Sequence, residues 1–393
     1  METAYDFDRE MSRKGSGAVK TDALVEFFGR DGLEPLWVAD MDFAVAPEIT
    51  SALMDRMRHP VYGYATVPES FWDSIIEWQK HRHGWSLKRD ELTFVNGIVR
   101  GFGFILNFFT EKGDKVLIQT PVYHPFRRLT EGNGRICVTN PLKETDGKYE
   151  MDFDDLELKF RTEHPKLMVL CNPHNPIGLQ WSRDAMRKVA SLAKQYGVTV
   201  VSDEIHGDLM LWGAPHIPFL SVSDEAREVG IAMGAPSKTF NIPGLASSWI
   251  AVSNPELRTA FYEWMAVNEF SDPTFVATIA TEVAYRKGEP WLDSMIEYLE
   301  GNIEAVERYC EENLPGIRAI RPEASFLVWL DCRKLGLTHD GLIDLFVNRA
   351  SLALNDGAMF GEEGSGFMRL NVASPRSVLL RALSALKNAI EKQ

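Results

Sequence analysis

Between residues 92 and 233 the sequence alternates short apolar runs with stretches of helical length. Polar and turn-forming residues follow each run, which is typical of buried strands joined by helices. Such strands form parallel β-α-β units with right-handed crossovers, so their carboxyl ends are expected at one edge of one sheet, where ligands bind. The predicted strands are Leu92–Val95, Lys115–Gln119, Leu167–Cys171, Val198–Ser202 and Val229–Met233.

The length of the chain predicts more than one structural unit. It has 393 residues, of which 45% are hydrophobic, enough for two or three cores at about 150 residues each. Residues 1–45 read as an N-terminal arm and part of a small domain; the arm is expected to be extended up to about residue 35, and Asp40 and Asp42 are interpreted as caps or turn formers. Residues 46–285 are predicted to form a large α/β domain, and residues 286–393 a smaller α+β domain.

Charge and cysteine usage exclude several classes of function. The net charge of −14 and the lack of a long basic cluster argue against a nucleic-acid partner. The most apolar window, 97–109, is interrupted by Arg100 and Asn107 and is too short to span a membrane. Four scattered cysteines and a polar N-terminus without a secretory leader favour a cytoplasmic protein with reduced thiols. No metal site is expected.

Lys238 follows the last of these strands and is the candidate catalytic residue. A lysine there is either a solvated loop residue or an amine kept near neutral for imine chemistry. Taken singly, Asp203 is explained as a helix cap, Asn175 as a turn residue, Tyr123 as a packed aromatic and Arg369 as half of a surface ion pair. Together with the helix start at residues 96–99, which can bind a phosphate, they suit a flat, cationic, phosphorylated heterocycle bound as an imine.

Seven motifs carry a resemblance to a known family over nearly the whole chain. The sequence resembles the fold-type-I pyridoxal-phosphate enzymes of the aspartate aminotransferase superfamily. Within them it is similar to the MalY/PatB subgroup of cystathionine β-lyases, which includes cystalysin. The motifs are PLWVADMDF at 35–43, GY at 63–64, PVYHPF at 121–126, NPHNPIG at 172–178, SDEIH at 202–206, PSKTFN at 236–241 and RLNVASPR at 369–376.

This resemblance implies an aspartate-aminotransferase-like fold, with a mostly parallel seven-stranded sheet in the large domain. It also implies a homodimer with shared active sites, pyridoxal 5'-phosphate as cofactor and an amino acid as substrate. The implied catalytic residues are Lys238, which carries the cofactor as a Schiff base, Tyr123 and His124. The implied cofactor-binding residues are Lys238, Asp203, Asn175, Tyr123, Ile98, Val99, Ser237, His206 and, from the second subunit, Tyr64; the implied substrate-binding residues are Arg369, Ala39 and Tyr64.

Three positions depart from the subgroup pattern. His124 stands where many relatives have a second tyrosine, the arm reads Lys20-Thr21-Asp22 where a tryptophan is usual in the middle, and Leu179 replaces a common arginine. The motifs favour a cysteine-S-conjugate β-lyase, with cystathionine as reference substrate and pyruvate and ammonia as products. Two alternatives stay open: an aminotransferase on the same scaffold, and a cofactor-binding protein with an added regulatory role.

Overall fold

The computed structural model describes residues 5–392. Residues 1–4, which contribute to the expected absence of a secretory leader, lie outside this range. Between residues 5 and 392 no helix combines the length and apolar character needed to cross a membrane.

The strands form one large sheet, one smaller sheet and two short pairs. Their bounds are β1 Glu34–Pro35, β2 Leu92–Val95, β3 Lys115–Ile118, β4 Ile136–Thr139, β5 Lys143–Thr145, β6 Lys148–Glu150, β7 Leu167–Cys171, β8 Thr199–Asp203, β9 Gly230–Gly234, β10 Ser248–Ala251, β11 Arg318–Ile320, β12 Leu327–Asp331, β13 Leu352–Ala353, β14 Asn355–Asp356 and β15 Phe367–Asn371.

The large sheet has the strand order β2-β10-β9-β8-β7-β3-β4. Only β10 runs antiparallel to its neighbours, so the other six strands end at the same edge. The prediction of a mostly parallel, seven-stranded sheet is therefore confirmed. Sequence reasoning did not find β4 or β10. β4 lies at the sheet margin, where Ile136 is 50% exposed, so it lacks the continuous apolar run of the central strands.

Helices cover the large sheet and support the small one. The helix Arg183–Tyr196 begins and ends as predicted. The Ser182 side chain caps its start, and Gly197 closes it in a left-handed conformation with φ 67°. The helices are α1 Val19–Asp22, α2 Leu24–Phe28, α3 Pro47–Met57, α4 Glu69–His83, α5 Ile98–Phe109, α6 Pro125–Gly132, α7 Phe153–Glu163, α8 Arg183–Tyr196, α9 Asp224–Val229, α10 Pro236–Thr239, α11 Pro255–Val267, α12 Phe275–Lys287, α13 Glu289–Asn313, α14 His339–Ile343 and α15 Arg376–Glu391.

The C-terminal part forms a four-stranded antiparallel sheet in the order β11-β12-β15-β14. α13 and α15 pack against each other beside it. β1 pairs in parallel with β13, which brings residues 34–35 to the C-terminal part of the chain. The domain limits at residues 45 and 285 stay a prediction.

Candidate active site

A cavity of about 320 Å³ lies at the edge where the parallel strands end. Residues from the ends of β2, β7, β8 and β9 meet there, because parallel strands bring their carboxyl ends together. Of the residues predicted from sequence, nine line it: Ala39, Ile98, Val99, Tyr123, Asn175, Asp203, His206, Ser237 and Lys238. Arg369, His124 and Tyr64 are not among the residues that line this cavity.

Lys238 lies in α10, the single helical turn that follows β9. Pro236 occupies the first turn, where its missing N–H costs nothing. The Nζ of Lys238 donates a hydrogen bond to the carbonyl oxygen of Ala39. Burial of the amine lowers the pKa of Lys238 to about 8, although part of the side chain remains accessible from the cavity. The amine is therefore still mostly protonated at pH 7, but it loses its proton far more easily than an exposed lysine does.

Asp203 is the last residue of β8 and is 3% exposed. Its Oδ1 accepts the backbone N–H of Ile205 at 3.1 Å. Burial raises the pKa of Asp203 to about 7, and the Ile205 N–H and the positive charge of Lys238 only partly oppose that rise. A carboxylate this buried, with a single hydrogen-bond donor, needs a neighbouring cation or further donors to stay ionised.

Arg369 in β15 reaches the cavity wall through Asn175. Its Nη1 donates to Asn175 Oδ1 at 2.9 Å, and its Nη2 donates to Asn355 Oδ1 at 2.5 Å and to the Trp37 carbonyl at 3.3 Å. The Nε atom is buried without a hydrogen-bond partner. Burial lowers the pKa of Arg369 to about 10, so the guanidinium remains charged at neutral pH. The interpretation of Arg369 as half of a surface ion pair is wrong, because the residue is only 4% exposed.

The amino terminus of α5 opens onto the same cavity. Gly97, with φ 123°, precedes this 12-residue helix, and no side chain caps it. The first-turn N–H groups of an α-helix have no intrahelical acceptors, and they carry about half a positive charge. Ile98 and Val99 belong to that turn, and Ser237 lies on the cavity wall. The site can therefore bind an anion.

Tyr123 and His124 follow β3. Their rings are 5.4 Å apart between centroids, and the His124 ring also contacts Phe360 at 6.1 Å. Burial, with Arg369 and Arg128 adding repulsion, lowers the pKa of His124 to about 4, and its Nδ1 has no partner. His124 is thus a neutral imidazole at pH 7.

His206 and Tyr64 have contrasting environments. His206 is 3% exposed, its Nδ1 lacks a partner, and burial lowers its pKa to about 3. Its ring packs edge-on against Phe326 at 6.0 Å. Tyr64 is fully exposed on an irregular segment and contributes nothing to the cavity of its own chain.

The irregular segment 37–43, here called the strap, contributes Ala39 to the wall of the cavity. Side chains from distant elements hold its carbonyl groups. Asn371 binds those of Val38 and Asp40, and Asn241 binds those of Met41 and Phe43. Neither role was predicted from sequence: Asn241 was interpreted only as a turn former, and Asn371 was not singled out, although both lie inside recognised motifs, PSKTFN and RLNVASPR.

A cluster of charges fixes the strap to the arm. Arg13 binds Asp40 through both Nη atoms, at 2.8 and 2.7 Å, and Lys20 binds Asp42 at 2.7 Å. Lys20 is wholly buried, and Ser374 also donates to Asp42 at 2.6 Å. Asp40 and Asp42 are therefore ion-pair partners of the arm, which corrects their interpretation as caps or turn formers. The arm is helical at α1 and α2, where the sequence suggested an extended chain.

Cys171 is another wall residue that sequence reasoning missed. Its Sγ accepts the N–H of Asn175 at 3.4 Å, and burial raises the pKa of the thiol far above its ordinary value. The only available signal was its position as the last residue of β7 before Asn172. It acts as an inert apolar group in the wall.

Comparison with known proteins agrees with this geometry. The family model for aminotransferase class I and II matches residues 35–386. The chain belongs to that family. Among relatives in the family, cystathionine beta-lyase PatB of Bacillus subtilis is 41% identical over 385 residues, covering 98% of this chain and 100% of that protein. Protein MalY of Escherichia coli is 33% identical over 390 residues, covering 98% of this chain and 99% of its own.

A solved structure in the same family shares the architecture. Cystalysin from Treponema denticola, which contains a pyridoxal 5'-phosphate cofactor, superposes with a TM-score of 0.95 at 33% identity. The match covers 99% of both chains. The expected aspartate-aminotransferase-like fold is confirmed.

Proposed function

We propose that this protein is a pyridoxal-phosphate-dependent carbon–sulfur β-lyase. It cleaves an L-cysteine thioether such as cystathionine, releasing a thiol, pyruvate and ammonia. The observation that carries the proposal is the meeting of a buried lysine with a lowered pKa, a buried carboxyl group and a free helix amino terminus in one cavity. The full-length similarity to a cystathionine beta-lyase supports the choice of reaction.

The residues of the cavity fit the cofactor. Asp203 is a buried carboxyl with a raised pKa, and a cationic ring nitrogen supplies the charge that would keep it ionised. The N–H groups at the start of α5, with Ser237, would hold the phosphate. Tyr123 would lie on a ring face, and Asn175 would donate to a ring oxygen. His206, buried with one free ring nitrogen, would close the wall.

Lys238 would carry the cofactor and later act as base. Pyridoxal phosphate, once bound, supplies an electron sink for the α-carbon of an amino acid. With its pKa of about 8, the Lys238 amine can remove the α-proton near neutral pH. Loss of this proton with departure of the thiolate from the β-carbon, followed by hydrolysis, gives pyruvate and ammonia.

Arg369 would bind the substrate α-carboxylate. Its guanidinium is charged and buried, and one of its nitrogens, Nε, is without a partner. A planar guanidinium suits a carboxylate because two parallel hydrogen bonds form at once. The Ala39 backbone, on the strap, would form the adjoining wall of the substrate pocket.

The decisive experiment separates elimination from amino transfer. The purified protein is incubated with L-cystathionine and, separately, with pairs of amino acids and 2-oxo acids, while pyruvate, thiol and transferred amino groups are measured. We expect pyruvate and thiol to form faster than amino groups are transferred to every common 2-oxo acid. Efficient transamination without pyruvate formation would establish an aminotransferase instead. Cofactor binding with neither reaction would favour a regulatory role.

We further propose that the active unit is a homodimer in which Tyr64 completes the partner's site. The full exposure of Tyr64 on an irregular segment supports this. Inactive Lys238→Ala and inactive Tyr64→Ala proteins should then regain activity when their subunits exchange, since one site in each heterodimer is intact. Lack of recovery after demonstrated exchange would contradict a shared site.

The proposed location is the cytoplasm. All four cysteines, Cys137, Cys171, Cys310 and Cys332, are free thiols. Reduced thiols are typical of that compartment. Labelling of fractionated cells with an antibody to the protein tests the assignment.

A further inference from the structure

The two residues that carry the proposed chemistry are each followed by a buried polar residue. Glu204 follows Asp203, and Thr239 follows Lys238; neither Glu204 nor Thr239 lines the cofactor cavity. Their side chains instead join hydrogen bonds behind that cavity, with Asp208, His83 and His216. We call these five residues the rear network.

Asp208 is the acceptor at one end of the rear network. Its Oδ2 accepts the hydroxyl of Thr239 at 2.8 Å, and its Oδ1 accepts the indole N–H of Trp78 at 2.8 Å. The Nε2 of His83 lies 2.7 Å from the same Oδ1. Despite burial, these donors and His83 lower the pKa of Asp208 below its ordinary value, so the carboxylate is ionised. It therefore fixes Thr239, and with it the turn that bears Lys238.

Glu204 is the acceptor at the other end. Its Oε1 accepts the hydroxyl of Ser202 and the N–H of Phe219, both at 2.8 Å. Its Oε2 lies 3.1 Å from His216 Nε2. The Glu204 N–H also donates to the Met233 carbonyl in β9, at 2.9 Å. These contacts hold the end of β8, and so Asp203, against β9.

His216 connects Glu204 to Gln180. The Nδ1 of His216 must donate to Gln180 Oε1 at 2.7 Å, because the amide nitrogen of Gln180 already donates to Asn172 and Trp181. Burial lowers the pKa of His216, although its contact with Glu204 opposes that shift.

His83 and His216 connect the Asp208 end of the rear network to the Glu204 end. Their rings meet edge to face, with centroids 5.2 Å apart, and the His83 and His216 side chains are 4% and 2% exposed. Gly207 makes this approach possible: a Cβ there would lie 2.8 Å from two atoms of the His216 ring. Any side chain at position 207 would displace His216.

We propose that Asp208 and Thr239 are positioning residues for Lys238, and that the rear network sets the distance between Lys238 and Asp203. Asp203 and Lys238 must contact opposite parts of one rigid cofactor ring system, so a shift of either residue lowers the affinity for the cofactor. The inference rests on the proposed function, because it assumes pyridoxal phosphate as the cofactor. The positioning itself depends only on hydrogen bonds between residues of this chain.

The test compares Thr239→Val with Thr130→Val. Both threonines are 0% exposed, and both changes replace a hydroxyl by a methyl group. Thr130 Oγ1 has no hydrogen-bond partner, so Thr130→Val is a matched control that removes a buried hydroxyl without breaking a hydrogen bond. Apoprotein is titrated with pyridoxal phosphate at equilibrium, and the visible spectrum of each holoprotein is recorded from pH 6 to pH 10. Thermal unfolding of each apoprotein reports the purely structural effect.

We expect Thr239→Val to raise the Kd for pyridoxal phosphate about tenfold and to shift the pH midpoint of the visible band, while Thr130→Val changes neither. Thr239→Ser, which keeps the hydroxyl, should restore both values. Gly207→Ala should raise the Kd in the same direction without removing any polar group. A lowered melting temperature for Thr239→Val with an unchanged Kd and midpoint would overturn the positioning role. Failure of the wild-type protein to bind pyridoxal phosphate would instead refute the proposed function.

Discussion

The two walls of the active-site cavity are built in different ways. On the sheet side, the functional groups sit at strand ends and on the first turns of α5 and α10, where the backbone ladder fixes them. On the strap side, residues 37–43 have no regular structure, and side chains from Asn241, Asn371, Lys20 and Arg13 hold the segment in place.

This difference separates the tasks of the two walls. The residues proposed to hold the cofactor lie at the ends of strands of one sheet or in the helical turns that follow them, so backbone hydrogen bonds fix their positions. The strap contacts join residues about 20 to 330 positions apart, so each depends on the packing of the arm, the large sheet and the small sheet. We therefore expect changes on the sheet side to affect cofactor binding and chemistry, and changes on the strap side to affect the substrate.

The largest effect is expected from Lys238→Ala on the sheet side. Removal of the base should lower elimination at least ~10⁴-fold, the upper end of what a general base contributes. Borohydride reduction of the wild-type holoprotein should fix pyridoxal phosphate to a peptide that contains Lys238, and the variant should give no such peptide. A fixed adduct on another lysine in the peptide map would contradict the assignment.

The second effect is a pH-dependent gain in apoprotein stability from Asp203→Asn. The folded state raises the pKa of Asp203 to about 7, so it binds a proton more tightly than the unfolded state does. Stability from this group is therefore full below pH 4 and is lost as the pH rises from about 4 to 7. At pH 8 the variant should be more stable than wild type by on the order of 4 kcal/mol, and near pH 4 the gain should vanish.

Urea unfolding of both apoproteins at the two pH values measures this gain. Asp208→Asn is the matched control, because Asp208 is also buried, at 8% exposure, but the hydrogen bonds from His83, Trp78 and Thr239 lower its pKa. That variant should lose stability at pH 8. A gain from both variants would mean that burial alone, rather than the missing cation, governs the two carboxyl groups.

Residues of the sheet side were predictable from sequence because short-range patterns determine them. An apolar run followed by Asn96-Gly97 or by Asp203 already marks a strand end, and parallel topology then brings such ends together. The roles of Asp40 and Asp42 were not predictable in this way. Their partners Arg13 and Lys20 are more than 20 residues away, and no local pattern records a contact that tertiary packing creates.

The third prediction tests the strap through Lys20→Met. The change keeps the buried length of the side chain but removes the cation from Asp42. Breaking a buried pair costs ~3–5 kcal/mol, and we expect about 3 because Arg13 still contacts Asp42 at 3.0 Å. The exposed pair of Arg381 with Glu10 provides the control, since solvent screens it and Arg381→Met should cost far less stability than Lys20→Met.

Kinetics of Lys20→Met would then sharpen the division between the two walls. Displacement of the strap should raise KM for cystathionine several-fold, because the strap forms the wall beside Arg369, and should leave the Kd for pyridoxal phosphate unchanged. An equal rise in KM for cystathionine and in Kd for pyridoxal phosphate would show that the two walls are not separable. The hydrogen bond from Lys238 to the Ala39 carbonyl would then couple them.

The smallest effect is expected at His124, which adjoins Tyr123 and is held by neither the strand ladder nor the strap. Its pKa of about 4 leaves the imidazole neutral at pH 7, so it can donate one N–H to a departing thiolate but is a weak acid. His124→Ala should lower elimination about tenfold, the cost of ~1.4 kcal/mol for one hydrogen bond to a charged group, and lower exchange of the substrate α-proton less. His124→Gln, which retains an N–H donor, should recover part of the loss.

Elimination should also show no inflection from His124 between pH 6 and pH 9, because its protonation lies well below that range. Equal losses in elimination and exchange would assign His124 to packing against Phe360 and leave thiolate departure to solvent or Lys238.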